Sequence, residues 1–203
     1  MLSKYFEVIA PDFPAFGASA PIEEAWSVGD YAEWLFSFLK AQNATHIHIL
    51  AHSFGARVAF KALSARPELA ESLIVTGGAG IVKERSPEYL KKVKAYRRIK
   101  KIFPRYAEKH YGSEEYKSLS PIMRESYKKI VNEDLRAYAA CVKCRTYLIY
   151  GANDTVTPPS EEGQIFHDLI AGSRFEVMDG GHFCFSEHPN AFNQKIYNFL
   201  SEK

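Results

Sequence analysis

Three residues of this chain have types and settings that together can do nucleophilic chemistry. Ser53 stands in the run Ala51-His52-Ser53-Phe54-Gly55, between a β-rich stretch and a helical one. A serine on so sharp a strand-to-helix turn needs small neighbours, because the backbone there is strained. The turn lifts its Oγ above the sheet, and the first N–H groups of the helix point at developing negative charge. The usual pattern is Gly-x-Ser-x-Gly, with Ala51 here in the first place; alone, such a match also describes ordinary turn serines. A serine nucleophile needs a base, and the base needs an orienting carboxylate. Gly151-Ala152-Asn153-Asp154 follows one strand-like run directly, and Gly180-Gly181-His182 follows another. The chain order is Ser, Asp, His, each at a strand exit. That order singles out Ser53, His182 and Asp154 as an acyl-transfer triad.

Other reactive side chains have blander readings. Cys141 and Cys144 have Cys-x-x-Cys spacing, but no second pair exists to complete a zinc site. They lie just before a strand, where packing is the expected role. Cys184, two residues past His182, is expected to line the pocket or the core. His52 precedes the candidate nucleophile and either touches substrate or packs. His46, His110, His167 and His188 show no partner pattern and are expected at the surface.

The elements must deliver the three residues to one place. Phe6–Ala10 is a short β-rich run that stops at Pro11-Asp12. Ser27 and Asp30 have capping-box spacing ahead of Tyr31, Trp34, Leu35 and Phe38, which recur at helical intervals. Ile47–Ala51, Leu73–Thr76, Thr146–Tyr150 and Phe175–Met178 read as further strands. Gly55–Ala65 and Ala191–Leu200 read as helices. The strand runs are apolar throughout and alternate with helices, which argues for an α/β protein with a mostly parallel sheet covered on both faces. Residues 82–140 change character: long, charged and helical, with Ser86-Pro87 and Ser120-Pro121 as N-cap and N1 pairs.

With these motifs in place, the chain resembles the α/β-hydrolase fold superfamily, specifically its lidded esterase-like members with a serine nucleophile. The resemblance rests on Val8-Ile9-Ala10-Pro11-Asp12 with the Gly17 turn, Ala51–Gly55, Tyr150–Asp154 and Gly180–His182. It implies Ser53 as nucleophile, His182 as general base then acid, Asp154 as its orienter, and the Phe54 backbone N–H as an oxyanion donor. It implies a core of 1–81 and 141–203 with a helical lid of 82–140, and a carboxylic ester or β-diketone-like carbonyl substrate. It also equates Phe6–Ala10 with the family's fourth strand. By that reading the chain lacks the first three strands, roughly 50 residues with their helix and loops. The third of those normally lies beside the elbow strand, and the loop after it carries the second oxyanion N–H. Phe6–Ala10 then either pairs with Ile47–Ala51 or leaves an exposed edge that invites self-association. The alternative function is a catalytically impaired binding protein, because one lost oxyanion donor costs about 10²–10³ in rate.

Composition excludes several classes. Of 203 residues, 46% are hydrophobic and 25% charged, which rules out disordered and fibrous chains. No apolar run approaches the roughly 18 residues of a membrane helix. The N-terminus lacks a signal-peptide stretch, and three cysteines cannot all pair within one chain, so a cytoplasmic protein is expected. No cofactor or metal is implied. The net charge of +2 is unevenly placed: residues 83–109 carry eleven Lys/Arg against three Glu. Along that insert Tyr89, Leu90, Val93, Tyr96, Ile99 and Phe103 can share one helical face, with the basic residues on the other. The basic face reads as a solvated lid surface or as an attractor of anions. With no recognised module beside it, nucleic acid is not an expected partner. Aromatics such as Tyr96, Phe103, Tyr106 and Tyr127 suit a small acyl or aromatic substrate.

Overall fold

The computed structural model describes residues 1–83, 87–102, 116 and 118–202. Ser27 opens helix α1 (Val28–Ala41) as the capping box predicts: its Oγ accepts from the Asp30 N–H, and Asp30 reaches back to the Ser27 N–H at 2.6 Å. Next come β1 (His48–His52), α2 (Phe54–Ala65) and β2 (Ser72–Thr76). Between β2 and β3 (Arg145–Gly151) lies a helical insertion with α3 (Pro87–Ile102), α4 (Pro121–Val131) and the short α5 (Arg136–Ala139). The chain ends with α6 (Gln164–Leu169), β4 (Arg174–Met178), the single turn α7 (Cys184–Glu187) and α8 (Pro189–Ser201).

The four strands lie in the order β1-β2-β3-β4, all parallel. Their side chains alternate between two buried layers. Leu73, Val75, Leu148 and Tyr150 join α1 and α2 on one face. Ile74, Tyr147 and Ile149 meet Phe192, Ile196 and Phe199 of α8 on the other. Both faces are covered, so the central strands read as continuous apolar runs rather than alternating ones.

The outer strand differs, and here one expectation fails. Phe6–Ala10 forms no strand; Val8 and Ile9 are 58% and 46% exposed. Local bonding explains this. Residues Leu2–Lys4 wind into a 3₁₀ turn whose Leu2 carbonyl accepts the Tyr5 and Phe6 N–H groups, and Tyr5 packs on Tyr197 of α8 at 4.5 Å. The segment is therefore drawn toward α8, and the Phe6 ring meets β1 edge-on at His48. Among the described residues nothing pairs with the outer edge of β1. Leu50 shares its register with the fully buried Ile74, yet it is 48% exposed.

The insertion is tied to α2. Arg57, nearly buried, donates Nη1 to the carbonyls of Ile130 and Glu133 at the end of α4, at 2.9 and 3.1 Å. Lys61 pairs with Glu133 at 2.6 Å and sits over the Tyr138 ring. Ser120 caps α4 by accepting from the Met123 N–H, with Pro121 at N1 as expected. Ser86 and the side chains of Tyr89, Leu90 and Ile99, like Phe103, Tyr106 and His110 entirely, lie outside the described residues.

Candidate active site

Ser53 occupies the junction of β1 and α2 with φ +49° and ψ −110°. A left-handed φ on a non-glycine residue is costly and marks a turn held by its surroundings. The holding bonds are backbone. The Ser53 N–H donates to the Thr76 carbonyl at 3.2 Å, and the Ser53 carbonyl accepts from Ala56 and Ala79. Ala51 and Gly55 flank the turn closely: a Cβ at Gly55 would lie in ordinary contact with the Ala51 methyl at 3.8 Å. Phe54 opens α2, and its ring is wedged among Phe13, Phe16 and Tyr31 at 5.1–5.6 Å. That aromatic cluster anchors the first amide of the helix.

Asp154 and His182 meet across the carboxyl ends of the strands. His182 Nδ1–H donates to Asp154 Oδ2 at 2.8 Å, and the Asp154 side chain is fully buried. Asp154 Oδ1 accepts the Val156 and Thr157 N–H groups at 2.8 and 2.9 Å. The Thr157 hydroxyl lies 2.8 Å from Asp154 Oδ2 and 3.0 Å from the Gly77 carbonyl, with one proton to share between them. Burial pushes the Asp154 carboxyl up, but the hydrogen bonds from His182, Thr157 and Val156 outweigh it and hold it below its ordinary value. An ionised carboxylate on Nδ1 fixes the His182 tautomer and leaves Nε2 as the free lone pair.

Two further residues build this pair, and neither stood out in the sequence. Thr157 lies three residues past Asp154, at a spacing that carries no signal of its own. Gly77, the first residue past β2, has φ +52°, and a Cβ there would sit 3.1 Å from His182 Nδ1 and 3.4 Å from Asp154 Oδ2. Gly151 permits a comparable approach: a Cβ on it would collide with the carbonyl oxygens of Gly180 and Gly181.

His52 ends β1 beside the serine. Its Nδ1 lies 3.0 Å from the Thr76 carbonyl, and its ring packs on His182 at 4.6 Å and on Phe183 and Phe185 at 5.1 and 4.9 Å. Cys184 is buried, with Sγ 3.7 Å from Thr76 Oγ1, and burial pushes its thiol up, away from thiolate chemistry. Cys141 is exposed and Cys144 half-buried. No cluster of three metal-type ligands occurs among the described residues. Three of the histidines expected at the surface have partners after all: His46 pairs with Glu71, His188 with Asp179, and His167 bonds Ser173. Among the described residues no helix is long and apolar enough to cross a membrane.

A parallel sheet with a strained serine between its outer strand and the next helix, and an Asp–His pair on the following strand ends, defines a parallel α/β protein of hydrolase type. The chain belongs to the alpha/beta hydrolase family, whose sequence model matches residues 1–195. It is similar to a probable 1-acylglycerol-3-phosphate O-acyltransferase of Oryza sativa subsp. japonica, at 24% identity over 97% of this chain and 61% of that protein. It is also similar to the 2-hydroxy-6-oxo-6-(2'-aminophenyl)hexa-2,4-dienoic acid hydrolase of Metapseudomonas resinovorans, at 25% identity over the whole chain and 77% of that protein. Its fold matches the enol-lactonase of Burkholderia xenovorans LB400 with a TM-score of 0.74, at 20% identity over 99% of this chain and 83% of that one. The chain thus spans less than two thirds of the rice protein.

Proposed function

We propose that this chain is a serine hydrolase acting on a carboxylic ester or related carbonyl substrate through Ser53, His182 and Asp154. The observation that carries the reading is the buried Asp154–His182 hydrogen bond at 2.8 Å, set on the same rim as a serine at φ +49°. In this mechanism His182 Nε2 takes the Ser53 proton as Oγ attacks the carbonyl carbon. The tetrahedral oxyanion is held by the Phe54 N–H at the head of α2. His182 then returns the proton to the leaving alcohol, and an acyl-serine forms. Water, deprotonated by His182, attacks the acyl-serine and releases the acid. The insertion, residues 82–140, acts as a lid that excludes water over a small acyl or aromatic substrate.

The relatives widen the substrate class. One is named for a dienoic acid bearing a ketone, so cleavage of a carbon–carbon bond beside a carbonyl suits the same machinery. Another is named as an acyltransferase, and an acyl-serine can also be resolved by an alcohol. Both named substrates are anionic, which fits the exposed Lys91, Lys94 and Arg98 on α3. No cofactor or metal enters this mechanism, and a cytoplasmic setting suits the free thiols.

The test is p-nitrophenyl ester turnover with Ser53→Ala as control, together with fluorophosphonate labelling. Equal turnover by the two proteins and no labelling of Ser53 would overturn the proposal. The open edge of β1 favours a second reading, a fold retained for binding with a weakened oxyanion site. Absence of fluorophosphonate labelling at Ser53 would select it, and labelling of Ser53 would argue against it. The same edge is the expected surface for self-association, with Leu50 at its centre.

A further inference from the structure

The Thr76 carbonyl gathers two groups. It accepts the Ser53 N–H at 3.2 Å and the His52 Nδ1–H at 3.0 Å. A carbonyl only accepts, so Nδ1 must carry the proton in neutral His52. The imidazole is thus fixed at its tautomer and its orientation by β2, one strand in from the edge. With its ring so fixed, it lies against His182 at 4.6 Å and 51°, while Phe183 and Phe185 close the remaining sides.

The geometry points to His52 as a positioning residue for His182: a neutral imidazole, tied to the Thr76 carbonyl, that backs the His182 ring and keeps positive charge away from it. This rests on the serine-hydrolase reading above. It assigns His52 a role other than substrate contact.

The argument is electrostatic as well as steric. His182 must become an imidazolium in each half of the reaction, and a second cation 4.6 Å away would oppose that. The surroundings keep His52 uncharged. Burial pushes its pKa down and His182 adds to the effect, against weaker support for the charged form from the Thr76 carbonyl and Asp154. Nearby on α7 are Cys184, with its thiol pushed up by burial, and Glu187, which accepts the Gly181 N–H at 3.0 and 3.2 Å. Cys184 stays a thiol, and the Glu187 carboxylate is directed at the Gly181 N–H rather than at the His52 ring.

Two variants separate the two parts of the role. His52→Phe keeps the ring and loses the tether. It is expected to lower kcat about tenfold while KM stays within about twofold, with the acid limb of kcat/KM unmoved. His52→Lys places a cation beside His182. It is expected to move the acid limb to lower pH by about one to two units, because a neighbouring cation disfavours protonation of the base. A rise in KM with unchanged kcat in His52→Phe would overturn the proposal in favour of substrate contact. An acid limb in folded His52→Lys that coincides with that of His52→Phe would overturn the charge argument. Should His52→Lys fail to fold, the kcat-against-KM split in His52→Phe still decides. Failure of the hydrolase reading itself looks different: wild type then shows no Ser53-dependent turnover or labelling at all.

Discussion

Gly77→Ala tests the site geometry through a residue that has no side chain and no chemical role. Gly77 sits at φ +52°, so an alanine there adopts a left-handed backbone at a cost of about 1–2 kcal/mol. For a chain of 203 residues that corresponds to a fall in Tm of about 2–8 °C. The added Cβ lands 3.1 Å from His182 Nδ1, 3.2 Å from Cε1 and 3.4 Å from Asp154 Oδ2. These contacts are too tight by a few tenths of an ångström, and the imidazole is the part able to give. A shift of that size is expected to slow chemistry about 3- to 10-fold, given that a 1 Å misplacement can cost about 10²-fold. The rate of fluorophosphonate labelling at Ser53 reads the shift directly, and ester kcat should fall by the same factor with KM unchanged. Thermal unfolding followed by circular dichroism supplies the stability half. A folded variant that labels at the wild-type rate would refute the claim that Gly77 is the space His182 needs.

Thr157→Val removes the hydroxyl shared by Asp154 and the Gly77 carbonyl; it should cost about 1–2 kcal/mol in Tm-derived stability and slow turnover several-fold. Asp154→Asn should lower kcat about 10⁴-fold by releasing the His182 tautomer, measured as single-turnover acylation. The Asp154 carboxyl is held below its ordinary value of about 3.9, so its stabilising contribution is complete above that pH and lost as pH falls through the lower folded value. The Tm difference between wild type and Asp154→Asn should accordingly shrink in acid below about pH 3.9 and be flat above about pH 5. Arg57→Met strands the Ile130 and Glu133 carbonyls; it should destabilise by about 2–4 kcal/mol and speed tryptic cleavage of the insertion. Leu50→Lys should abolish any concentration-dependent dimer seen by light scattering, and an unchanged dimer would remove β1 from that role.

Much of this was readable because it is local. A capping box, a small-x-Ser-x-small turn and a glycine after a strand are each decided within five or six residues, and Ser27–Asp30, Ser53 and Asp154 all stand where their own neighbours put them. The parallel sheet was readable for a related reason: only a strand buried on both faces tolerates a run such as Leu73-Ile74-Val75. Phe6–Ala10 shows the limit. Its composition is that of a strand, but a strand exists only in a ladder, and composition does not report whether a partner edge is taken up. The competing bonds were a 3₁₀ turn at Leu2–Lys4 and a ring contact with Tyr197, almost the full chain away in sequence.

Gly77 and Thr157, which escaped notice, and the role of His52, which was left open, share one property: each is defined by a neighbouring element. Gly77 matters because His182, at the end of another strand, occupies the space a side chain would fill. Thr157 matters because its hydroxyl spans from its own loop to the carbonyl of Gly77. His52 matters because β2 offers a carbonyl at the height of its ring. Each strand exit can be read alone as carrying a reactive residue, but the proposed joining of three exits in one centre depends on the residues between them. Here those are a glycine, a threonine and one backbone carbonyl, Thr76, which ties the Ser53 amide and the His52 ring to the same atom. Disturbing that middle strand should therefore move Ser53 and His182 together, whereas changes in the insertion should reach the site through Arg57 on α2 and through the Leu135 N–H bond to the Gly80 carbonyl.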